Sequence, residues 1–275
     1  MPAARKAIDL FLNLGVGAGL LTAGLTALPA AQAQHHHGAA ISAGHTAAAE
    51  GGEGGEGGEG GDPHPSAGLS TTLELQVALA QMQGHLLIAE ELLQQGAAAA
   101  AEPHVSHPVD ELYGAVAPAL EQRQVAPFLA PLEALRQQVR LQAAGASPAG
   151  SSASALESAR QAIRTSAHQL GTADNLALVR ELAATAAQEY AAAVDQGRVI
   201  ERIEYQDARG FLLEAERRLL QTATAGDPAT SAALLTIRAM LKSLPTAQPP
   251  ARALATPAQL QALQDSLPPG HPQPR

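Results

Sequence analysis

Glu189 lies eight residues before Gly197 and Glu204 lies seven after it. If two antiparallel helices turn at Gly197, both carboxylates sit roughly 10–12 Å from the turn, at 1.5 Å of rise per residue. Each also falls on the wrong face of its helix. At 100° per residue the second helix has an apolar arc of Ile200, Phe211, Ala215, Ala208, Leu219 and Leu212, with Glu204 near its middle, between Phe211 and Ala215. Arg202, Arg209, Glu216 and Arg217 form the opposite, solvated side. In the first helix the arc runs through Leu178, Leu182, Ala193, Ala186, Val179 and Tyr190, and Glu189 falls between Leu178 and Leu182. A carboxylate facing a core is costly unless a cation, a metal or a proton neutralises it. Two inward carboxylates at one level are how a helical bundle holds a hard cation, and Asp207, three residues beyond Glu204, offers a third oxygen. The plainer alternative is a salt bridge from Glu189 or Glu204 to an arginine such as Arg160 or Arg164.

The first half of the chain offers imidazoles. His85 lies in an apolar arc with Ala78, Met82, Ala89 and Leu92, and His104-x-x-His107 precedes Pro108 and Asp110-Glu111. A site of His85, His104 and His107 would suit iron, copper or zinc. The alternative is a hydrogen-bonded core histidine and a helix cap before proline. His168 lacks partners at useful spacing and reads as a surface residue.

A third candidate lies near the start. Arg5-Lys6, an apolar run from Leu14 to Leu28 and Ala31-Gln32-Ala33 form a cleavable leader of residues 1–33, which implies export to a periplasm. The run is shorter than the ~20 residues a span needs, so no membrane insertion is expected once the leader is removed. Cleavage would leave Gln34-His35-His36 in front. A free amine, two amide nitrogens and the His36 imidazole form a square-planar set for copper(II) or nickel(II) within Gln34-His35-His36, and His37, His45 and His64 add further donors along the tether.

These residues need scaffolding, and composition says what kind. Net charge is −9, or −10 once Arg5, Lys6 and Asp9 leave with the leader, which argues against nucleic acid. Cysteine is absent, so disulfides and a lipid-anchored cysteine are excluded. Aromatics are 2% of residues, so any core is thin and built from Leu and Ala. No Gly-x-Ser-x-Gly, phosphate-cradling loop or His-Glu-x-x-His occurs, and a non-enzymatic role is expected.

The expected fold is all-α: an antiparallel helical bundle, or two small bundles in tandem. Residues 34–68, with GGEGGEGGEGGD, read as a disordered acidic tether. The first helical half spans 69–144, a linker 145–152, the second half 153–244 and a Pro-rich tail 245–275. Capping boxes at Thr71-x-x-Glu74 and Ser154-x-x-Glu157 open helices ending at Gly96 and Gly171. Pro108 opens a helix from Val109 to Arg123, and another runs from Val125 to Ala143. Pro118, Pro127 and Pro131 bend or interrupt these two. Further helices are expected at Ala173–Gln196, Val199–Thr224, from Asp227-Pro228 to Leu244, and Pro257–Asp265.

Two stretches carry resemblances. Glu189-Tyr190-Ala-Ala-Ala193-Val194-Asp195-Gln-Gly197-Arg-Val199, followed by Glu204-Tyr205-Gln-Asp207 and Phe211, resembles the extracytoplasmic segment of bacterial oxidase-dependent, high-affinity iron permeases. The chain departs from the permeases in lacking a multi-span region and the Arg-Glu-x-x-Glu motif. The resemblance implies iron handling, with Glu189, Glu204 and Asp207 at matching positions, and an inner-membrane metal transporter as partner. Gly84-His85 to His104-Val-Ser-His107-Pro108 resembles a group of exported helical proteins with no assigned activity. Together these readings give an exported carrier or transport accessory for iron or copper. The alternative is a metal-free scaffolding bundle.

Overall fold

A computed structural model describes residues 69, 71–171, 173–222 and 227–270. The leader, His35, His36 and the GGE tether lie outside these residues.

Helix α1 (Thr72–Gln94) opens with the expected capping box. The Glu74 amide donates to Thr71 Oγ1 at 3.1 Å and the Thr71 amide to Glu74 Oε2 at 2.8 Å. Gly96, at φ 74°, ends it. Leu75, Leu79, Met82 and Leu86 enter one apolar cluster, whereas Val77 and Ala80 enter another. A helix apolar all round must be central, and α1 serves both cores.

The first core is completed by α2 (Ala98–His107), a π-helical turn (Pro108–Leu112), α3 (Tyr113–Gln122), α4 (Leu129–Ala143) and α5 (Ala153–Gln169). The expected start at Pro108 is corrected here. The helix begins at Ala98, where an alanine run has the strongest helix propensity, and passes through Pro103. The wide π turn accommodates Pro108, which has no amide hydrogen to give. Pro118 sits inside α3 without ending it. Val125 to Phe128 is loop rather than helix, and Pro131 lies in the first turn of α4, where no amide donor is required. The second capping box does not form. Helix α5 starts before Ser154, and Glu157 pairs with Arg164 at 2.6 Å.

Helix α6 (Asn175–Ala193), capped by Asp174, does not reach Gln196. It gives way to a ribbon of β1 (Val194–Asp195) and β2 (Arg198–Val199), paired antiparallel. Gln196 and Gly197 turn it at φ 47° and 73°, as a two-residue hairpin requires. Helix α7 (Arg202–Thr222) therefore starts later than expected, and Ile200 is 56% exposed instead of in its apolar arc. Helix α8 (Pro228–Leu241) is capped by Asp227, and α9 (Pro257–Asp265) by Thr256. Tyr190, Tyr205, Leu212, Ile237 and Leu260 form the second core.

The Pro-rich segment is folded onto this half. Tyr190 donates its hydroxyl hydrogen to the Ala255 carbonyl at 2.8 Å, and the Ala253 amide donates to Gly197 O at 3.0 Å. Among the described residues, no helix is long and apolar enough to cross a membrane.

Among the contacts that join the halves is a close approach of two backbones. Helices α1 and α7 cross where Gly84 meets Gly210, so closely that a Cβ on Gly210 would lie 2.5 Å from the Gly84 carbonyl oxygen. Glycine is required at such an approach because no other residue leaves the backbones room to touch.

Candidate metal centre

The Gly84–Gly210 crossing sets the next residue of α1, His85, against Asp207, one turn before Gly210 on α7. His85 Nδ1 lies 2.8 Å from Asp207 Oδ1. His104, on α2, brings its Nδ1 to 2.9 Å from the same oxygen. His107, one turn further along α2, places Nδ1 3.5 Å from Asp207 Oδ2. Its Nε2 lies 3.9 Å from Glu111 Oε1, a carboxylate supplied by the π turn. The His85 and His107 rings meet edge-on at 5.0 Å, and His85 packs edge-on against Phe211 at 5.1 Å. His85, His104 and Asp207 are all buried. Their donor atoms converge within 4.8 Å, a spacing that one metal ion can bridge.

The three histidines and the acidic residues therefore form one centre instead of two. Asp207, expected only as a third oxygen, stands in the middle of it, whereas Glu204 is half-buried at its side. The reason is the crossing: Asp207 shares the face of α7 that carries Gly210, and α1 covers that face. Glu189 is half-buried on α6 and within electrostatic reach of Asp207, Glu204, His107 and Glu111. The arginine alternative fails for the residues named, because Arg160 pairs with Glu90 at 2.5 Å and Arg164 with Glu157. His168 is exposed, as expected.

Protonation in this centre follows from its neighbours. Burial pushes the Asp207 carboxyl up, but the surrounding imidazoles outweigh it and hold the group well below the usual range. Burial lowers His85 despite the attraction of Asp207. It also works against His107, yet Asp207, Glu111 and Glu189 together raise that imidazole to about 9. Glu189 is raised to about 8, by burial first and then by the charges of Asp207 and Glu204. Burial likewise raises Glu111.

The tautomer of His104 is set from behind the ring. Gln206 Nε2 donates to the Ala247 carbonyl at 2.8 Å, which aims its Oε1 at His104 Nε2, 2.9 Å away. That nitrogen must carry a hydrogen, so in the neutral ring Nδ1 is the lone-pair nitrogen. Yet Nδ1 faces a carboxylate oxygen at 2.9 Å. Two lone pairs cannot face each other so closely unless a cation lies between them, either a second proton on the ring or a metal ion. Neighbouring ligands of an octahedral ion with bonds of about 2.1 Å lie about 3 Å apart, so the spacing fits a metal. A side chain that fixes the tautomer from behind is the usual support of a metal-binding histidine.

The residues that sequence reasoning missed are these supports. Gln206 and Ala247 have no recognisable spacing to His104, whereas Glu111 could have been found four residues after His107 on one helical face.

Neither a curated protein nor a solved structure shows significant similarity to the chain. Residues 166–268, which supply Glu189, Glu204, Gln206, Asp207 and Ala247, match the iron permease-associated 4-helix bundle domain.

Proposed function

We propose that the chain is an iron-binding accessory of membrane iron uptake, working outside the cytoplasm and holding its ion through His85, His104 and Asp207. The observation that carries this is the convergence of His85, His104 and Asp207 donor atoms within 4.8 Å, with a proton or a metal ion required between His104 Nδ1 and Asp207 Oδ1. The mixed imidazole and carboxylate donors suit iron better than calcium or magnesium, which favour oxygen alone. The family match points to iron among the transition metals and to a membrane iron permease as partner. Binding replaces the protons now shared among the imidazoles and Asp207, so uptake of the ion releases protons. Protein loaded near neutral pH would give up its ion as the pH falls.

Anaerobic titration of the full chain with iron(II), followed by calorimetry, tests this. The Asp207→Asn variant should bind at least 100-fold more weakly than the wild type. It should also lose about 3–5 kcal/mol of ion-free stability, because the charge of His107 loses its buried partner. Unchanged iron(II) affinity in Asp207→Asn would refute the assignment.

A further inference from the structure

The ribbon end of the second half carries charges without partners. Eight arginines of the described residues, from Arg136 to Arg238, pair with carboxylates. Arg198, Arg202 and Arg252 are exposed, and none of them forms an ion pair among the described residues. Two of these are placed against each other. Arg252 lies directly opposite Arg198 in an antiparallel bridge, and the neighbouring Ala253 amide donates to Gly197 O at 3.0 Å. Residues opposed in this way project from one face of a sheet, where like charges repel. Arg202 opens α7, where the helix dipole already disfavours a cation. Asp195, opposite Arg198 in β1, makes no ion pair with it, and Glu201 is exposed next to Arg202. Glu204 is half-buried beside the metal centre. At the surface, three arginines against two acids leave this end positive in a chain of net charge −9.

Apolar exposure gives a second, independent reason. Of the five large aliphatic side chains that the described residues leave exposed, three lie here: Ile200 at 56%, Ile203 at 37% and Leu254 at 60%. Ile200 and Leu254 each follow one arginine of the opposed pair by two residues, the spacing that keeps side chains on one face of an extended chain. Single exposed aliphatics are ordinary, but a group of them interleaved with unpaired guanidiniums marks an interaction surface. It has no aromatic residue, the usual anchor of a protein interface. A free phosphate would satisfy the arginines and leave the aliphatics in water, whereas the boundary of an anionic bilayer satisfies both.

We propose that the ribbon end docks on an anionic phospholipid surface, with Arg198 and Arg252 sharing a headgroup phosphate and Ile200, Ile203 and Leu254 entering the boundary beneath it. A phosphate between the two guanidiniums removes their repulsion, and their donor forks match its oxygens. The contact is reversible, because so few basic and apolar residues fall short of a stable anchor. The acidic remainder of the chain is repelled by the same surface, which turns the ribbon end, and the start of α7 with it, toward the bilayer. Docking does not depend on the metal reading.

Sedimentation with vesicles tests this. The exported chain, with chelator present, is spun with vesicles of phosphatidylcholine alone and with vesicles of phosphatidylcholine and phosphatidylglycerol in equal parts. The expected result is binding to the anionic vesicles only, weakened by salt. The Arg198→Gln, Arg252→Gln double variant should bind about 30-fold more weakly, the effect of two basic residues near an anionic surface. Its melting temperature should equal or exceed that of the wild type, because two repelling charges have gone. The Ile200→Ser, Leu254→Ser double variant should bind about tenfold more weakly at every salt concentration, which a purely electrostatic contact would not show. A wild type that stays in solution overturns the proposal, whether inorganic phosphate or a protein then proves to occupy the arginines. Equal sedimentation of the wild type and the arginine double variant overturns it as well, since the leader or the tether would then carry the binding. Iron(II) affinity in the calorimetric titration is untouched by either result.

Discussion

Replacing Glu189 by glutamine separates a site that waits for cations from an ordinary structural pair. In the ion-free protein Glu189 titrates near 8, raised by burial and by the charges of Asp207 and Glu204, against about 4.5 in the unfolded chain. A carboxyl raised on folding favours the folded state least where the unfolded chain is ionised. Its penalty is absent below about pH 4.5, grows between 4.5 and 8, and levels off above 8. Integration over that window gives under about 1 kcal/mol at pH 5 and about 3–5 kcal/mol above pH 8. Glutamine keeps the shape and removes the penalty. Ion-free Glu189→Gln should therefore melt close to the wild type at pH 5 and roughly 10 °C higher at pH 8.5, since 1 kcal/mol moves a domain of this size by about 2–4 °C. The same variant should bind iron(II) more weakly, so stability and affinity move in opposite directions. Melting curves with chelator at several pH values measure the effect. A loss of stability that does not depend on pH would show that Glu189 is held by a cationic side chain and would refute the reasoning.

Gly210→Ala sets a methyl group 2.5 Å from the Gly84 carbonyl oxygen and must push α1 from α7. A loss of about 1–3 kcal/mol is expected, with at least tenfold weaker iron(II) binding; wild-type melting would contradict the close packing. Gln206→Leu removes the acceptor behind His104 and should weaken iron(II) binding about 10–100-fold by calorimetry. Unaltered binding would mean that the tautomer is set elsewhere. Mass spectrometry of exported protein should show a chain starting at Gln34, and intact Met1 in the membrane fraction would disprove the leader. That mature chain should bind about one copper(II) through Gln34, His35 and His36, and His36→Ala should abolish its violet absorption.

Much of the fold was legible because local rules governed it. The Thr71–Glu74 box, Asp227 before Pro228 and the Pro257–Asp265 helix follow from capping chemistry that acts within four residues. Proline misled where tertiary packing overrode it: α2 runs into Pro108, and the π turn absorbs the missing donor. The ribbon at Gly197 was hidden because two residues per strand are too few to show alternation. His85, His104 and His107 from one list meet Asp207 from the other, and periodicity could not show that the two lists share a cluster. Joining them depends on Gly84 and Gly210, distant in sequence and ordinary in context. Periodicity also favoured Glu204 over Asp207, because an apolar arc assumes one buried face, whereas α7 is covered by α6 on one side and by α1 on another.

The Gly84–Gly210 crossing has a consequence for how an ion could be let go. His85 and His104 stand on α1 and α2, whereas Asp207 stands on α7, so no segment owns the complete set proposed to hold the ion. The free energy with which an ion binds is then also free energy that clamps one half of the chain to the other. Thermodynamic reciprocity makes the converse hold: whatever pries the two halves apart weakens the grip on the ion by the same amount. A partner that docks by spreading α1 from α7 would unload the protein without touching a single ligand.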